Sequence, residues 1–542
     1  MADITGMLQA AAGNVGGEEA GYQISRSLRF NSADSAYLSR TPASAGNRKT
    51  WTWSGWVKRS KLGSQQPFFS ARQVDDSNDC FISFESDDTL RLIEINAAVH
   101  IFKWQTTQVF RDVSSWYHLV IALDTTQATS TDRLAMYVNG VKITSYSTQT
   151  TPAQNTDLEV NTALPHAIGR RIASTTYFNG YLADIHFVDG QALTPSDFGE
   201  TDATTGVWKP KEYTGTYGTN GFHLDFSDNT STTALGYDAA GSNNWTANNF
   251  SVTAGTGNDS LVDTPTPYGT DTGAGGEVRG NYCTMNPLKS GLLLSNGNLS
   301  VTSSAGYACA IGTIGVSSGK WYWEVLINTT VNANGVGIGD SSTDTTTYLG
   351  KGNSLTYTAI GTIYGPGDTT TQTGLATFGS GDIIGVGLDM DANEVKFYKN
   401  NSLVTTVTGL STTEWFPALS DDSSGSQPSI DLNFGQRPFA YTAPSGFKAL
   451  CTQNLPEGTI TTSGTFTGNG STDGPFVYLN GVPTAMTIDG NAVTFGTHAD
   501  KLANGFKVRS SSASYNANAT SMSYTISTTG AKFKYANAQP NP

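Results

Sequence analysis

Hydrophobic and polar positions alternate with a period of two along most of the 542-residue chain. That is the period of a strand with one buried face. The stretch "KTWTWSGWVKRS", residues 49–60, carries three tryptophans. As a strand it puts Trp51, Trp53, Gly55 and Val57 on one face and Thr52, Ser54, Trp56 and Lys58 on the other. Trp51 and Trp53 read as core anchors, because large aromatics dominate cores. Trp56 falls on a mixed face and is the candidate ligand-binding residue. Two readings of it stay open: a ring covered by a loop, or a platform on which a sugar stacks.

The same alternation recurs in "SLRFN", "CFISFES", "TLRLIEI", "YHLVIAL" and "LAMYVNGVKITSY", so strand follows strand from about Ile24 to Glu200. Asn139-Gly140 predicts a hairpin, since both residues tolerate the positive φ of a type I′ turn. "ALTPSDFGE" predicts one short helical turn starting at Thr194. Residues 201–280 are rich in Gly, Thr and Asn, with one clear strand in "GFHLDFS". "DTPTPYG" and "GAGG" predict a linker. A second strand-rich block follows, in which "GKWYWEVLI" sets Trp321, Trp323, Val325 and Ile327 on one face. A third block holds "PFVYLNGV", "AVTFG" and "GFKVRS".

The exception to the period of two lies at 3–12, "DITGMLQAAA". Ile4, Met7, Leu8 and Ala11 fall at i, i+3, i+4 and i+7, with Asp3 placed to cap. Such a helix is too short to stand alone in water. It is expected to dock through Ile4, Met7 and Leu8, on this chain or on a partner, with the following glycines as a flexible joint.

The expected architecture is all-β, with consecutive strand-rich blocks, a small C-terminal β domain and a short N-terminal helix. Its segments are 1–23 (docking helix and joint), 24–260 (first block with an extension), 261–280 (linker), 281–455 (second block) and 456–542 (C-terminal module). The length alone is too great for one core.

Composition narrows the function classes. Charged residues make up 14% of the chain, where roughly 25% is usual. The net charge of −14 repels polyanions, so nucleic acid is not an expected partner. Four cysteines, Cys80, Cys283, Cys309 and Cys451, are spread thinly and read as buried free thiols. No apolar run approaches the roughly 20 residues of a membrane helix. The N-terminus lacks a basic region followed by a long apolar one, so no secretory signal is expected. A secreted-looking β composition without an export signal suits a virion protein made in the host cytoplasm and released by lysis.

Catalytic motifs fail on context. "GVSSG", 315–319, matches G-x-S-x-G, but a strand follows it where a nucleophile elbow needs a helix. "GVSSGKW" is one residue short of a phosphate-binding loop and has Trp321 at the magnesium-ligating position. No E-x-D-x-E pair of glycosidase carboxylates occurs. His118 and His186 lie in strands and read as satisfied structural residues. The best metal candidate is "VDDSNDC", 74–80, where Asp75, Asp76 and Asp79, with Asn78, offer hard oxygens of the kind calcium prefers. A solvated acidic loop is the competing reading.

"TWTWSGWVKRS", "WYHLVIALD", "LAMYVNGVKI" and "FNGYLADIHFVDGQALTPSDF" together resemble a laminin-G/pentraxin-type, concanavalin-A-like domain. "SSGKWYWEV", "IGVGLDMDANEVKFYKNN", "WFPALS" and "LNFGQRPF" occur in the order of a SPRY domain. "TGNGSTDGPFVYLNG" and "ANGFKVRSSSASYNANAT" are similar to small β modules that follow SPRY-like domains in tailed-phage structural proteins. The first two resemblances imply consecutive concanavalin-A-like jelly-roll sandwiches, which fits the strand count and turn spacing. The combination resembles a bacteriophage tail-fibre or virion-surface protein. It implies a non-enzymatic adhesin of the tail that binds a host-surface glycan or protein. The alternative is a decoration or connector protein that touches only neighbouring subunits. It further implies other virion proteins as partners through the N-terminus, a homo-oligomer with a trimer favoured, and calcium as the one candidate cofactor.

Overall fold

A computed structural model of the chain describes residues 21–531, apart from 76–77, 173, 203–206, 272–277, 304–305, 330–333, 412–413, 423–427, 457, 474, 479–481, 503–504 and 520. The expected helix at 3–12, with Ile4, Met7 and Leu8, lies outside the described residues, as do Asp76 and the "GAGG" run. The protein is nearly all β, built from sandwiches. Among the described residues, one compact unit comprises 21–199 and 210–454, and a second comprises 200–209 and 455–531.

The tryptophan-rich segment forms the strand Thr50–Arg59. It pairs antiparallel with Tyr117–Asp124 on one side and Gly180–Asp189 on the other, at the centre of an eight-stranded sheet. A second eight-stranded sheet, including Gln66–Asp75 and Thr89–Asn96, supplies the facing layer. Trp51 and Trp53 are fully buried in the core between them, as alternation predicts. The Trp53 ring packs 5.2 Å from that of Phe68. Asn139 and Gly140 take φ of 47° and 81°, the positive values a type I′ hairpin requires. The helical turn at Thr194 is the 3-10 segment Pro195–Asp197. There the Thr194 side chain meets the Asp197 backbone, and the Asp197 side chain accepts from the Thr194 backbone.

The second face of the Trp strand takes the covered one of its two readings. Trp56 is 1% exposed. The face that alternation marks as mixed is covered by later chain. Phe198 packs on Val120 and Val188, with Leu193, Tyr213 and Tyr217 against them. Further along, Lys58 Nζ donates to Asp263 Oδ2 at 2.8 Å, Asn281 Oδ1 at 2.7 Å and the Tyr282 carbonyl at 3.0 Å. Residues 261–280, expected as a linker, therefore include a buried seam on the first sandwich. Trp116 Nε1 also donates to Asp263 Oδ1, at 3.2 Å.

The second sandwich sets a seven-stranded sheet against an eight-stranded one. Lys320–Thr329 sits inside the latter between Ile383–Asp389 and Ser429–Asn433, with Trp321 and Trp323 buried. Two further bonds tie the sandwiches together: Tyr181 Oη donates to the Gly297 carbonyl at 2.6 Å, and the Val262 amide to the Gln436 carbonyl at 3.1 Å. In the second compact unit, Phe466, Met486, Ile488, Phe506, Val508 and Met522 form a small core between a four-stranded and a three-stranded sheet. Its four-residue helix, Ala513–Asn516, is capped by Ser512.

Candidate functional site

Within the first unit, the two sandwiches enclose an open cleft of about 740 Å³, within the size range of small-molecule sites. One wall comes from Arg26 and the loop 252–258, the other from Glu324 and the segment 436–440. Glu324 reaches the cleft because alternation puts it opposite Trp323 on the strand Lys320–Thr329. Its carboxylate is satisfied, accepting from the amides of Ala440 at 2.7 Å and Tyr441 at 2.9 Å. Asp431 is satisfied as well, by the Ser300 hydroxyl and by Asn328 Nδ2 at 2.8 Å.

The cleft's donors are not satisfied. Arg437 and Gln436 are 4% and 1% exposed. Arg437 Nη2 donates to the Leu432 carbonyl at 2.7 Å, but its Nη1 has no partner. Gln436 Oε1 accepts from the Phe434 amide at 2.8 Å, while its Nε2 has no partner. Arg26 lies beside Arg279 with no hydrogen bond or ion pair to a described residue. Burial, with Arg29 nearby, pushes the Arg437 guanidinium down to about 10. Sequence reading did not single out these three residues. "LNFGQRPF" contains two of them, but the cleft needs both sandwiches in place.

A second cluster lies on the covered face of the first sandwich. A β-bulge opposite Gly55 interrupts the pairing between Ala183 and His186, and Asp184 adopts φ of 51° there. Ile185 stays in the core. Asp184 Oδ1 accepts from His223 Nε2 at 2.7 Å and from Tyr22 Oη at 2.7 Å. His186 Nε2 stands 3.2 Å from Asp184 Oδ2, and its Nδ1 shares a 2.8 Å hydrogen bond with Tyr217 Oη. Burial raises the Asp184 carboxyl, but His186 and His223 outweigh it and hold the group below its usual range. Burial pushes His186 down; it pushes His223 down too, but the Asp184 hydrogen bond reverses that and leaves His223 raised.

The ligand atoms of Asp184, His186 and His223 lie within 4.8 Å of one another, as a metal set would. The ring geometry does not suit one. The two imidazoles stack at 4.2 Å, 14° from parallel, so their in-plane lone pairs cannot both reach one ion at the usual distance of about 2.0–2.1 Å. The arrangement is a hydrogen-bonded stack around one carboxylate. The D-x-H spacing in "LADIHFVD" was the signal in the sequence; the third member, His223, comes from a strand far along the chain.

Trp56 is closed to solvent and stacks on His118 at 4.9 Å, so it offers no platform for a sugar. Asp75 ends one strand and pairs with Asn78, which begins the next; Asp76 lies outside the described residues. Asp79 is buried and ion-paired with Arg171. A calcium ion there would have to displace a guanidinium.

His118, buried against Trp56, bonds Ser54 Oγ through Nε2 at 2.9 Å. Burial pushes its pKa down to about 3. Below pH about 6.5 the unfolded chain takes a proton that the folded chain refuses. The contribution of His118 to stability is therefore complete above that pH and declines as pH falls toward the folded value. Between pH 7 and 5, the wild-type protein should lose about 2 kcal/mol relative to His118→Asn. Urea unfolding of both proteins at the two pH values checks this; an unchanged difference would mean that the imidazole titrates normally.

Residues 31–199 match the family model of the concanavalin A-like lectin/glucanases superfamily, and residues 320–437 match that of the SPRY domain. No curated protein matches the chain. Among solved structures, the chain is similar to the SPRY domain of human HERC1, at 24% identity over 29% of this chain and 99% of that one, with a TM-score of 0.26. It is also similar to the native heptameric SAP-like pentraxin from Limulus polyphemus, at 18% identity over 32% and 80%, with a TM-score of 0.25. The chain thus carries a concanavalin A-like domain and, after it, a SPRY domain.

Proposed function

We propose that the protein is a structural component of a phage tail, of fibre or spike type, and acts as a non-enzymatic adhesin for a host-surface glycan. The observation that carries this reading is the seam at Lys58, Asp263 and Asn281, which fixes two sandwiches of binding type as one body with an open cleft between them. Concanavalin A-like and SPRY domains typically bind without catalysing. The third block's resemblance to modules of tailed-phage structural proteins supports the virion setting. Low charge and abundant Asn, Ser and Thr suit contacts with sugar hydroxyls. Weak single-site affinity is raised by roughly 10²–10⁴ when copies act together on a particle.

The test applies fluorescent, multimerised full-length protein to intact bacterial cells and to a panel of immobilised bacterial surface polysaccharides, with and without periodate. Periodate-sensitive binding is the expected result. No binding anywhere, together with a particle map placing the protein inside the tail or on the capsid, would overturn the adhesin reading in favour of a connector. Release of reducing sugar would overturn the non-enzymatic clause. Deleting residues 1–20 should leave a folded protein that no longer enters virions; aggregation of the truncated protein would assign that segment to its own core instead.

A further inference from the structure

We propose that the cleft between the sandwiches binds a saccharide bearing a single carboxylate, held by Arg26, Gln436 and Arg437. This names the ligand class of the adhesin reading and rests on it. Three features of the cleft lead there. Among the described residues, its charged and amide groups without partners are donors: Arg437 Nη1 and Gln436 Nε2 are buried without an acceptor, the Ser260 hydroxyl is unpartnered too, and no described residue pairs with Arg26. Buried polar groups are ordinarily paired, and an unpaired donor costs about 1–3 kcal/mol. An acceptor is what the cleft lacks, and two guanidiniums suit a carboxylate.

The acidic residues on the walls limit the charge of that acceptor. Glu324 and Asp431 already hold their hydrogen-bond donors. They add no recognition of an anion and repel extra negative charge. A singly charged group therefore fits better than a phosphate monoester or a polyanion.

The remaining lining suits the body of a sugar. Asn229, Asn258 and Ser260 provide neutral partners for hydroxyls, and Phe439 and Val252 provide apolar surface for a ring face. This mixture of mostly apolar lining with a few placed polar groups is typical of small-molecule sites. The volume of about 740 Å³ leaves room for more than the carboxylate alone.

Calorimetric titration of the full chain with sodium glucuronate, glucose and sodium acetate tests the proposal. Glucuronate should bind at least about tenfold more tightly than either of the others. Arg26→Ala should weaken glucuronate binding by about tenfold with an unchanged melting temperature, so the result does not depend on whether Arg437→Met folds or on Gln436→Leu, which also frees the buried Phe434 amide. Glucuronate binding no tighter than glucose, or unaltered in Arg26→Ala, overturns the proposal. Acetate binding as tightly as glucuronate overturns the saccharide and leaves a free carboxylate as the ligand. Wild-type protein that adheres to cells but ignores glucuronate overturns the cleft and leaves the adhesin reading standing. Protein that binds glucuronate in the cleft but adheres to no cell does the reverse.

Discussion

Trp53→Ala is expected to destabilise the first sandwich by about 3–5 kcal/mol, the range for removing a large buried side chain. The ring is fully buried, in the central strand, and packs 5.2 Å from Phe68. Gly55 reinforces the fit, since a Cβ there would lie 2.8 Å from the Trp53 ring. The neighbouring backbone has been built around that indole, so the site collapses poorly when it is removed. Thermal and urea unfolding measure the loss. A melting curve matching wild type would place Trp53 outside the core and reopen the sugar-platform reading of this segment.

Lys58→Met is expected to cost about 3–5 kcal/mol, because it leaves Asp263 charged and buried without its cation. Both side chains are 1% exposed. Burial raises the Asp263 carboxyl, and Lys58 opposes that shift. Without Lys58, the carboxylate keeps Trp116 Nε1 as donor but loses its counter-charge. The two sandwiches should then melt in separate calorimetric transitions. The double variant Lys58→Met/Asp263→Leu should recover most of the loss, since an apolar pair can replace a buried ion pair at little cost. Equal losses in the single and double variants would show that packing, not the uncompensated charge, holds the seam.

The two faces of one strand show how far the sequence can be read. Trp51 and Trp53 were legible as core, because strand geometry assigns alternate residues to one face whatever lies around them. Trp56 was not, because its burial is decided by chain more than a hundred residues away. Phe198, Asp263 and Tyr282 come to that face only when the fold closes. The hairpin at Asn139-Gly140 and the turn at Thr194 were legible for the same local reason: backbone conformation and capping depend on a few consecutive residues.

The candidate site was much less legible. The aspartates of "VDDSNDC" stood out as a run, yet Asp79 answers to Arg171, which is 92 residues away. Asp184 and His186 sit two positions apart, but the bulge that sets them on the outer face and the strand that brings His223 beside them are tertiary features. Arg26 and Arg437 lie at opposite ends of the described first unit and share one cleft because long-range bonds join the sandwiches, among them those of Lys58 to Asp263 and Asn281, 205 and 223 residues further on. The sequence by itself determined the strands, their buried faces and the all-β class, since these follow from periodicity and local backbone preference. The tertiary structure alone decided which outer faces are covered, which charges are paired and where unpaired donors meet. Those outcomes depend on long-range contacts, whose partners no local pattern specifies.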